Sequence, residues 1–405
     1  MKKKHILVIS QHYYPEQFRI NDLTESLVKR GHEVTVVTGI PNFPEGNFFK
    51  GYGWFSKREE MIHGVRVIRL PITPRKNNFL TLGLNYLSYV NTGFLWNLFT
   101  KVKADIVFTY AQSPITQAIP AVQYAKKHKV PHLLYVLDLW PESVEAVTGV
   151  KSLFVLKQIG KLVDYVYKHS DKILSSSKSN IDAIKERNVS DEKLQFWPQY
   201  AEDFYAPKES SPETEIIQDG RLNITFAGNL GPGLGLELLP KIVKRLLEES
   251  IYNFRFVMIG DGLSKEKLEK MVEKEHLQEH FQFLGRKPAM SIPQYLANSD
   301  VAYISLAPNP LFDKAIPAKV QSTLACAKPI LASANGEVQQ IVKEANCGFV
   351  CDAGNEEQLV EKIKEILKLS KEEIQELGKN SLQYSQEHFS KEKLIDELEE
   401  MMEEF

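Results

Sequence analysis

The chain has little of what would tie it to an oxidising compartment or to the interior of a bilayer. Among 405 residues there are three cysteines, Cys326, Cys347 and Cys351. They are too few and too unevenly placed for a disulfide framework, so a reducing compartment is expected. No window offers the roughly 20 uninterrupted apolar residues that a spanning helix needs. The opening Met1-Lys2-Lys3-Lys4 runs straight into a strand pattern and does not read as a secretory signal. Asp-x-Asp, a spacing that suits a divalent metal, occurs nowhere. A dominant charge is also missing: the formal net charge is −2, which gives no reason to expect a nucleic-acid partner.

What is present suits two domains with cores of their own. The near-neutral total hides an asymmetry, with 27 Lys+Arg against 19 Asp+Glu in residues 1–205 and 23 against 33 in the remainder. The first half is therefore the better placed to face an anionic partner, either a membrane surface or a diphosphate. Strand and helix patterns alternate along the whole length, which argues for an α/β protein with parallel sheets covered on both faces. Apolar runs at 5–10, 33–38, 105–110, 132–137 and 172–175 read as strands of a first domain, 1–205. The polar run 207–220 reads as a linker. A second domain, 206–387, opens with the strand 222–227, and strands at 254–260, 281–286, 300–305 and 330–332 follow.

The chain is organised around residues 313–337. Ile316-Pro317 reads as a helix start, because proline in the first turn gives up only an N–H that lacks a partner anyway. The helix carries Lys319, Gln321 and Ser322, and Val320, Leu324 and Ala325 on its buried side; it stops before Pro329. Asn335-Gly336-Glu337 reads as a turn after a short strand. Free N–H groups and the helix dipole can hold an anion at such a helix start, and Lys319 would add a full charge. An ordinary crossover helix explains the spacing equally well. Earlier, Gly228-Asn229-Leu230-Gly231 follows a strand and precedes a helix, which lets backbone N–H groups approach a phosphate closely. Arg286, after another strand, is a second candidate cation. His276-Leu277-Gln278-Glu279-His280 fits H-x-x-E-H, but a strand follows His280 at once, so no zinc site is expected. Cys347 and Cys351 read as packing.

In the first half, Asp138 stands at the tip of a central strand beside Trp140-Pro141, and helix capping is the alternative use for it. The loop 41–52 is rich in proline, glycine and aromatic residues. The segment Phe79–Phe99 is apolar nearly all round, between Arg75-Lys76 and Lys101, Lys103. It suits either a buried core helix or a membrane interface.

The sequence Ile316-Pro317-Ala318-Lys319-Val320-Gln321-Ser322, with the glycine turn, resembles the donor site of family 4 glycosyltransferases. The likeness is greatest to the bacterial polysaccharide, O-antigen and capsule repeat-unit subgroup that includes N-acetyl-L-fucosamine transferases. The resemblance implies a GT-B fold, two Rossmann-like doubly wound domains facing across a cleft, with the last helix (about 388–405) crossing back onto the first domain. It implies a retaining, metal-independent transferase with no cofactor, moving a sugar from a nucleotide diphosphate, expected to be UDP, to a lipid-diphosphate-linked saccharide. Such an enzyme would be cytoplasmic and peripheral on the inner face of the membrane, docked through its N-terminal domain.

On the donor side the resemblance implicates Gly228, Asn229, Leu230, Gly231, Arg286, Ile316, Pro317, Lys319, Gln321, Ser322 and Glu337. On the acceptor side it implicates Pro15, Glu16, Arg19, Asn21, Asp138 and Trp140. Asp138, Glu337 and Lys319 are the expected catalytic groups. The chain departs from the wider family at Lys314 and Ser322, where many members carry a glutamate pair. It also has Leu137 where a basic residue usually precedes the aspartate. A sugar-nucleotide 2-epimerase of the same architecture and a non-catalytic nucleotide-sugar sensor are the alternatives.

Overall fold

The computed structural model describes residues 2–76, 79–148, 150 and 152–405. The chain forms two compact units, Met1–Pro198 with Glu392–Phe405, and Gln199–Lys391. The boundary at Pro198 lies a few residues before the expected one at 205.

The first unit is built on an eight-stranded sheet in the order β3-β4-β2-β1-β5-β6-β7-β8. Its strands are β1 (His5–Ile9), β2 (Glu33–Gly39), β3 (Glu59–Ile62), β4 (Val65–Leu70), β5 (Ile106–Ala111), β6 (His132–Val136), β7 (Lys172–Ser175) and β8 (Leu194–Phe196). All neighbours pair in parallel except β3 and β4. The central strands are buried on both faces, which is why they read as continuous apolar runs without alternation. The C-terminal helix Lys391–Glu403 belongs to this unit. It buries Leu394, Ile395, Leu398, Met401 and Met402, and its polar face pairs with the end of the first helix, Arg19–Lys29. Arg30 holds Glu392 (2.5 Å), Glu399 (2.6 Å) and Asp396, while His32 Nε2 meets Glu399 at 2.8 Å.

The second unit has a six-stranded, wholly parallel sheet, β11-β10-β9-β12-β13-β14. Its strands are β9 (Leu222–Ala227), β10 (Phe254–Ile259), β11 (Phe281–Gly285), β12 (Val301–Ser305), β13 (Ile330–Ser333) and β14 (Gly348–Cys351). Phe226, Phe254, Phe256, Met258 and Tyr303 fill one side of it. Val320, Leu324, Val338 and Ile341 fill the other.

Chain order reverses between β1 and β5 in the first unit and between β9 and β12 in the second. At such a switch point the two following loops diverge to opposite faces and leave a crevice beyond the carboxyl ends of the strands, where ligands of open α/β sheets bind. Three segments singled out in the sequence come from these places, 10–18 after β1, 228–235 after β9 and 306–317 after β12; the segment 112–117 after β5, which no sequence pattern marked, lies there too.

Candidate active site

In the second unit the glycine turn after β9 is interlocked with the loop after β10. A Cβ on Gly260 (φ +142°) would stand 1.8 Å from the Gly228 carbonyl, and one on Gly262 (φ +153°) 2.5 Å from that of Leu230. The Gly228 N–H donates to Ile259 O (2.9 Å) and the Leu230 N–H to Asp261 O (2.8 Å). Two of the four amides expected to meet an anion are thus used by the fold. Asn229 and Gly231 make no backbone N–H bond among the described residues, so they are the donors left in this turn. Leu230 is a core residue, buried in the cluster around β9 and β10.

The helix after β12 spans Ala318–Ala325, with Pro317 in extended conformation as its N-cap. It seats Val320 and Leu324 in the core and ends where Ala327 turns to φ +54° before Pro329. Ile316 packs against the same core. Lys319 points from the first turn of this helix toward the glycine turn. Its Nζ lies 4.0 Å from the centre of the Phe226 ring and 3.5 Å from where a Gly228 side chain would begin. Among the described residues it has no carboxylate partner and no hydrogen bond. Desolvation lowers its pKa to about 7. An ammonium placed over an aromatic ring, with water largely excluded and no counter-ion, has its charge stabilised only when an anion arrives.

The other polar residues of this helix face away from such a ligand. Gln321 is fully buried, its amide nitrogen turned to the Pro317 and Ala318 carbonyls (3.0 and 3.2 Å). Ser322 Oγ donates back to Ala318 O and Lys319 O, both at 3.2 Å. In this arrangement they brace the first turn that carries Lys319.

Glu337 is not in a turn but in the first turn of the helix Gly336–Glu344, and it is 5% exposed. Gly336 (φ +58°) lets this helix start against the 310–313 segment, since a Cβ there would lie 1.9 Å from Asp313 O. Arg286 is exposed just beyond Gly285. His280 is buried and its Nδ1 meets Phe254 O at 3.0 Å. Cys347 and Cys351 are buried free thiols.

In the first unit Asp138 is exposed past the end of β6. Its Oδ2 accepts from Ser113 N–H (2.9 Å) and Ser113 Oγ–H (2.8 Å). It takes no part in the start of the helix Glu142–Thr148, where Ser143, Val144 and Glu145 donate to the carbonyls of Leu139 and Pro141. The capping alternative is thereby removed. Trp140, 8% exposed, donates its Nε1–H to the same Ser113 hydroxyl at 3.1 Å. No sequence pattern pointed to Ser113, which reaches Asp138 only through the pairing of β5 with β6.

Glu16 is buried: one oxygen meets His12 Nδ1 (2.8 Å), and the other accepts from the N–H groups of Asn42 (2.7 Å) and Phe43 (2.6 Å). It anchors the 41–52 loop instead of facing a substrate. Asn21, also buried, donates to Glu16 O (2.8 Å), and its Oδ1 has no hydrogen-bond partner among the described residues. Pro15, in the loop after β1, and Arg19, at the start of the first helix, are half-buried.

The apolar segment is a helix, Phe79–Phe99, and neither alternative describes it fully. One face, with Asn85, Tyr89 and Trp96, lies on the core, and Gly93 fits against Pro120. The opposite face exposes Leu80, Leu84, Leu87, Leu95 and Leu98 at helical spacing. The aromatics of the 41–52 loop are half-buried, with Phe48 and Tyr52 against the core, while Trp54 and Phe55 beyond it are exposed.

Residues 17–198 match the family model described as glycosyl transferase 4-like domain, and residues 207–384 the model described as glycosyl transferases group 1. Together the two matches span most of the chain. The chain belongs to the glycosyltransferases. It is similar to the putative colanic acid biosynthesis glycosyl transferase WcaI of Escherichia coli, at 26% identity over 90% of this chain and 93% of that one. It is also similar to the alpha-monoglucosyldiacylglycerol synthase of Acholeplasma laidlawii, at 24% identity over 69% and 68%. Among solved structures, sucrose-phosphate synthase from Thermosynechococcus elongatus superposes with a TM-score of 0.75 at 17% identity, covering 99% of both chains. Anabaena HepE in complex with UDP gives 0.71 at 14% identity, covering 100% of both. These likenesses show the GT-B fold for this glycosyltransferase.

Proposed function

We propose that this glycosyltransferase moves a sugar, an N-acetylated hexosamine or deoxyhexosamine, from a UDP-linked donor to a lipid-diphosphate-linked saccharide in the synthesis of a bacterial surface polysaccharide. The observation that carries the donor half is Lys319, an ammonium with no counter-ion among the described residues, at the glycine turn after β9. Lys319, the Asn229 and Gly231 amides and the start of the 318–325 helix supply positive potential for a leaving diphosphate without a metal. The departures at Lys314 and Ser322 leave no glutamate pair beside this site. Glu337, at the start of the next helix, is the carboxylate assigned to the sugar.

The reaction retains configuration. The bond from the anomeric carbon to the diphosphate breaks, and the acceptor hydroxyl bonds to the same face. Its proton passes to the departing phosphate oxygen. Asp138, held by Ser113, orients the acceptor hydroxyl. The relatives named for colanic acid and glycolipid synthesis support a polysaccharide or glycolipid setting.

No helix among the described residues is long and apolar enough to cross a membrane. The exposed leucine stripe of the 79–99 helix instead suits an anionic bilayer surface on the cytoplasmic side. Arg75 and Lys76 precede it, Lys101 and Lys103 follow it, and residues 61–104 contain no Asp or Glu. Thermal stabilisation by a panel of nucleotides and nucleotide sugars in EDTA tests the donor assignment. UDP and one UDP-sugar should raise the melting temperature. Stabilisation that needs Mg²⁺ or Mn²⁺, or that follows another base, overturns it.

A further inference from the structure

Arg75 stands between β4 and the 79–99 helix on a backbone pinned from two sides. Its N–H donates to Asn42 Oδ1 at 2.9 Å. Gly46 lies so close that a Cβ there would sit 2.2 Å from the Arg75 carbonyl. The guanidinium lies over the Phe43 ring at 5.5 Å, and Glu16 holds the Phe43 amide. Arg30, Arg66, Arg69 and Arg187 of the same unit each hold a carboxylate. Arg75 holds none among the described residues. A half-exposed guanidinium on fixed backbone, without a counter-ion, is prepared for an anion from outside the chain.

Its surroundings say which anion. Tyr86, beside Leu87 in the sequence and on the flank of the stripe, is half-buried. Burial raises its pKa, with Arg75 opposing and Asp138 adding to the rise, so both charges act on this one phenol. The Tyr86 ring meets Trp140 edge-on at 6.4 Å. Through Trp140 and Ser113 the same cluster reaches Asp138. A carboxylate at one end, aromatic rings between and a guanidinium at the other end suit a saccharide that carries an acidic group. The carboxylate accepts from a hydroxyl, the rings cover the apolar face of the sugar, and the guanidinium takes the anion in a fork.

We propose that Arg75 binds the diphosphate that joins the acceptor sugar to its lipid, with Tyr86 beside the sugar and Asp138 at the reacting hydroxyl. This rests on the acceptor reading given above. From Arg75 the lipid chain runs onto Leu80, Leu84 and Leu87, the exposed residues at the start of the same helix. The donor diphosphate is the other anion in the reaction, and Lys319 and the glycine turn already serve it.

The test compares two acceptors bearing one sugar, the first on a short-chain prenyl diphosphate and the second on a neutral alkyl chain. Binding is read by calorimetry and transfer by steady-state kinetics. Arg75→Gln should weaken binding of the diphosphate acceptor, and raise its KM, by about 10- to 100-fold, the range for a lost charge-assisted hydrogen bond. Neutral-acceptor binding and the donor KM should stay unchanged, and Arg75→Lys should recover part of the loss. A variant that binds both acceptors as wild type does overturns the role of Arg75, as does one whose donor KM rises instead. A wild type that prefers the neutral acceptor overturns the lipid-diphosphate reading itself, and the Arg75 site with it.

Discussion

Replacing Lys319 with methionine keeps the volume and removes the charge, and it should separate function from stability with opposite signs. The unfolded chain holds the lysine proton up to its ordinary value of 10.5, while the empty folded protein holds it only to about 7. Between those values the unfolded state binds more protons, so this residue makes stability rise with pH there. Below pH 7 the lysine is charged in both states, and the fold carries the full desolvation cost. At 1.36 kcal/mol per unit that cost has a ceiling of about 5 kcal/mol, and the residual solvent contact of the side chain brings it to about 2–3 kcal/mol. Lys319→Met should therefore raise the melting temperature of the second unit by about 4–10 °C at pH 6. The gain should fade as pH rises from 7 toward 10. Turnover should fall about 100- to 1,000-fold, as for loss of one donor to a developing anion. Scanning calorimetry at pH 6 and pH 9, with and without UDP, reads the stability and transfer assays read the rate. A variant less stable than wild type at pH 6, or one stabilised by UDP to the same degree, refutes the reasoning.

The same residue predicts that donor binding takes up a proton. Calorimetry in two buffers of different ionisation enthalpy should show uptake approaching one proton at pH 8 and little at pH 6, and no uptake at either pH would count against Lys319. Gly260→Ala should cost about 2–4 kcal/mol and abolish UDP stabilisation, because its Cβ would push the Gly228 carbonyl out of the turn. Chemical denaturation checks the first part and thermal shift the second. Asp138→Asn should cut transfer while leaving UDP stabilisation intact, so a variant with normal transfer would release Asp138 from its role. Leu84→Asp with Leu95→Asp should leave the fold intact and weaken co-sedimentation with anionic vesicles at low salt, since both side chains are exposed. Trp96→Glu, whose ring stacks on Tyr124 at 5.8 Å, should destabilise the protein instead.

What could be read from the sequence was whatever depends on local pattern. The alternation of strands and helices, the helix behind Pro317 and the glycine turn after β9 all lie within a dozen residues of their own signals. What could not be read depends on contacts between distant segments. Nothing near Lys319 announces that its ammonium will rest over Phe226. Gln321 and Ser322 look like ligand contacts until the helix is placed, when both turn back on its own first turn. Glu16 is expected on the acceptor side, yet it closes on the amides of Asn42 and Phe43 from another loop. The 79–99 helix reads as apolar nearly all round with no polar face, because its core face uses Asn85, Asn97 and Gly93; Gly93 and Asn97 fit against Pro120, and Asn85 meets Gln11 and Thr73. Arg75 drew notice only as a flanking charge, because its want of a partner is a property of the folded unit.

The most direct test is product analysis in EDTA with UDP-N-acetylhexosamine donors, with and without a lipid-diphosphate-linked sugar. The account predicts UDP release and a glycosylated acceptor, its new linkage keeping the donor's anomeric configuration, only when the acceptor is present. An altered sugar released from donor alone would mark an epimerase, an inverted linkage would exclude the proposed chemistry, and donor binding without turnover on any acceptor would mark a sensor.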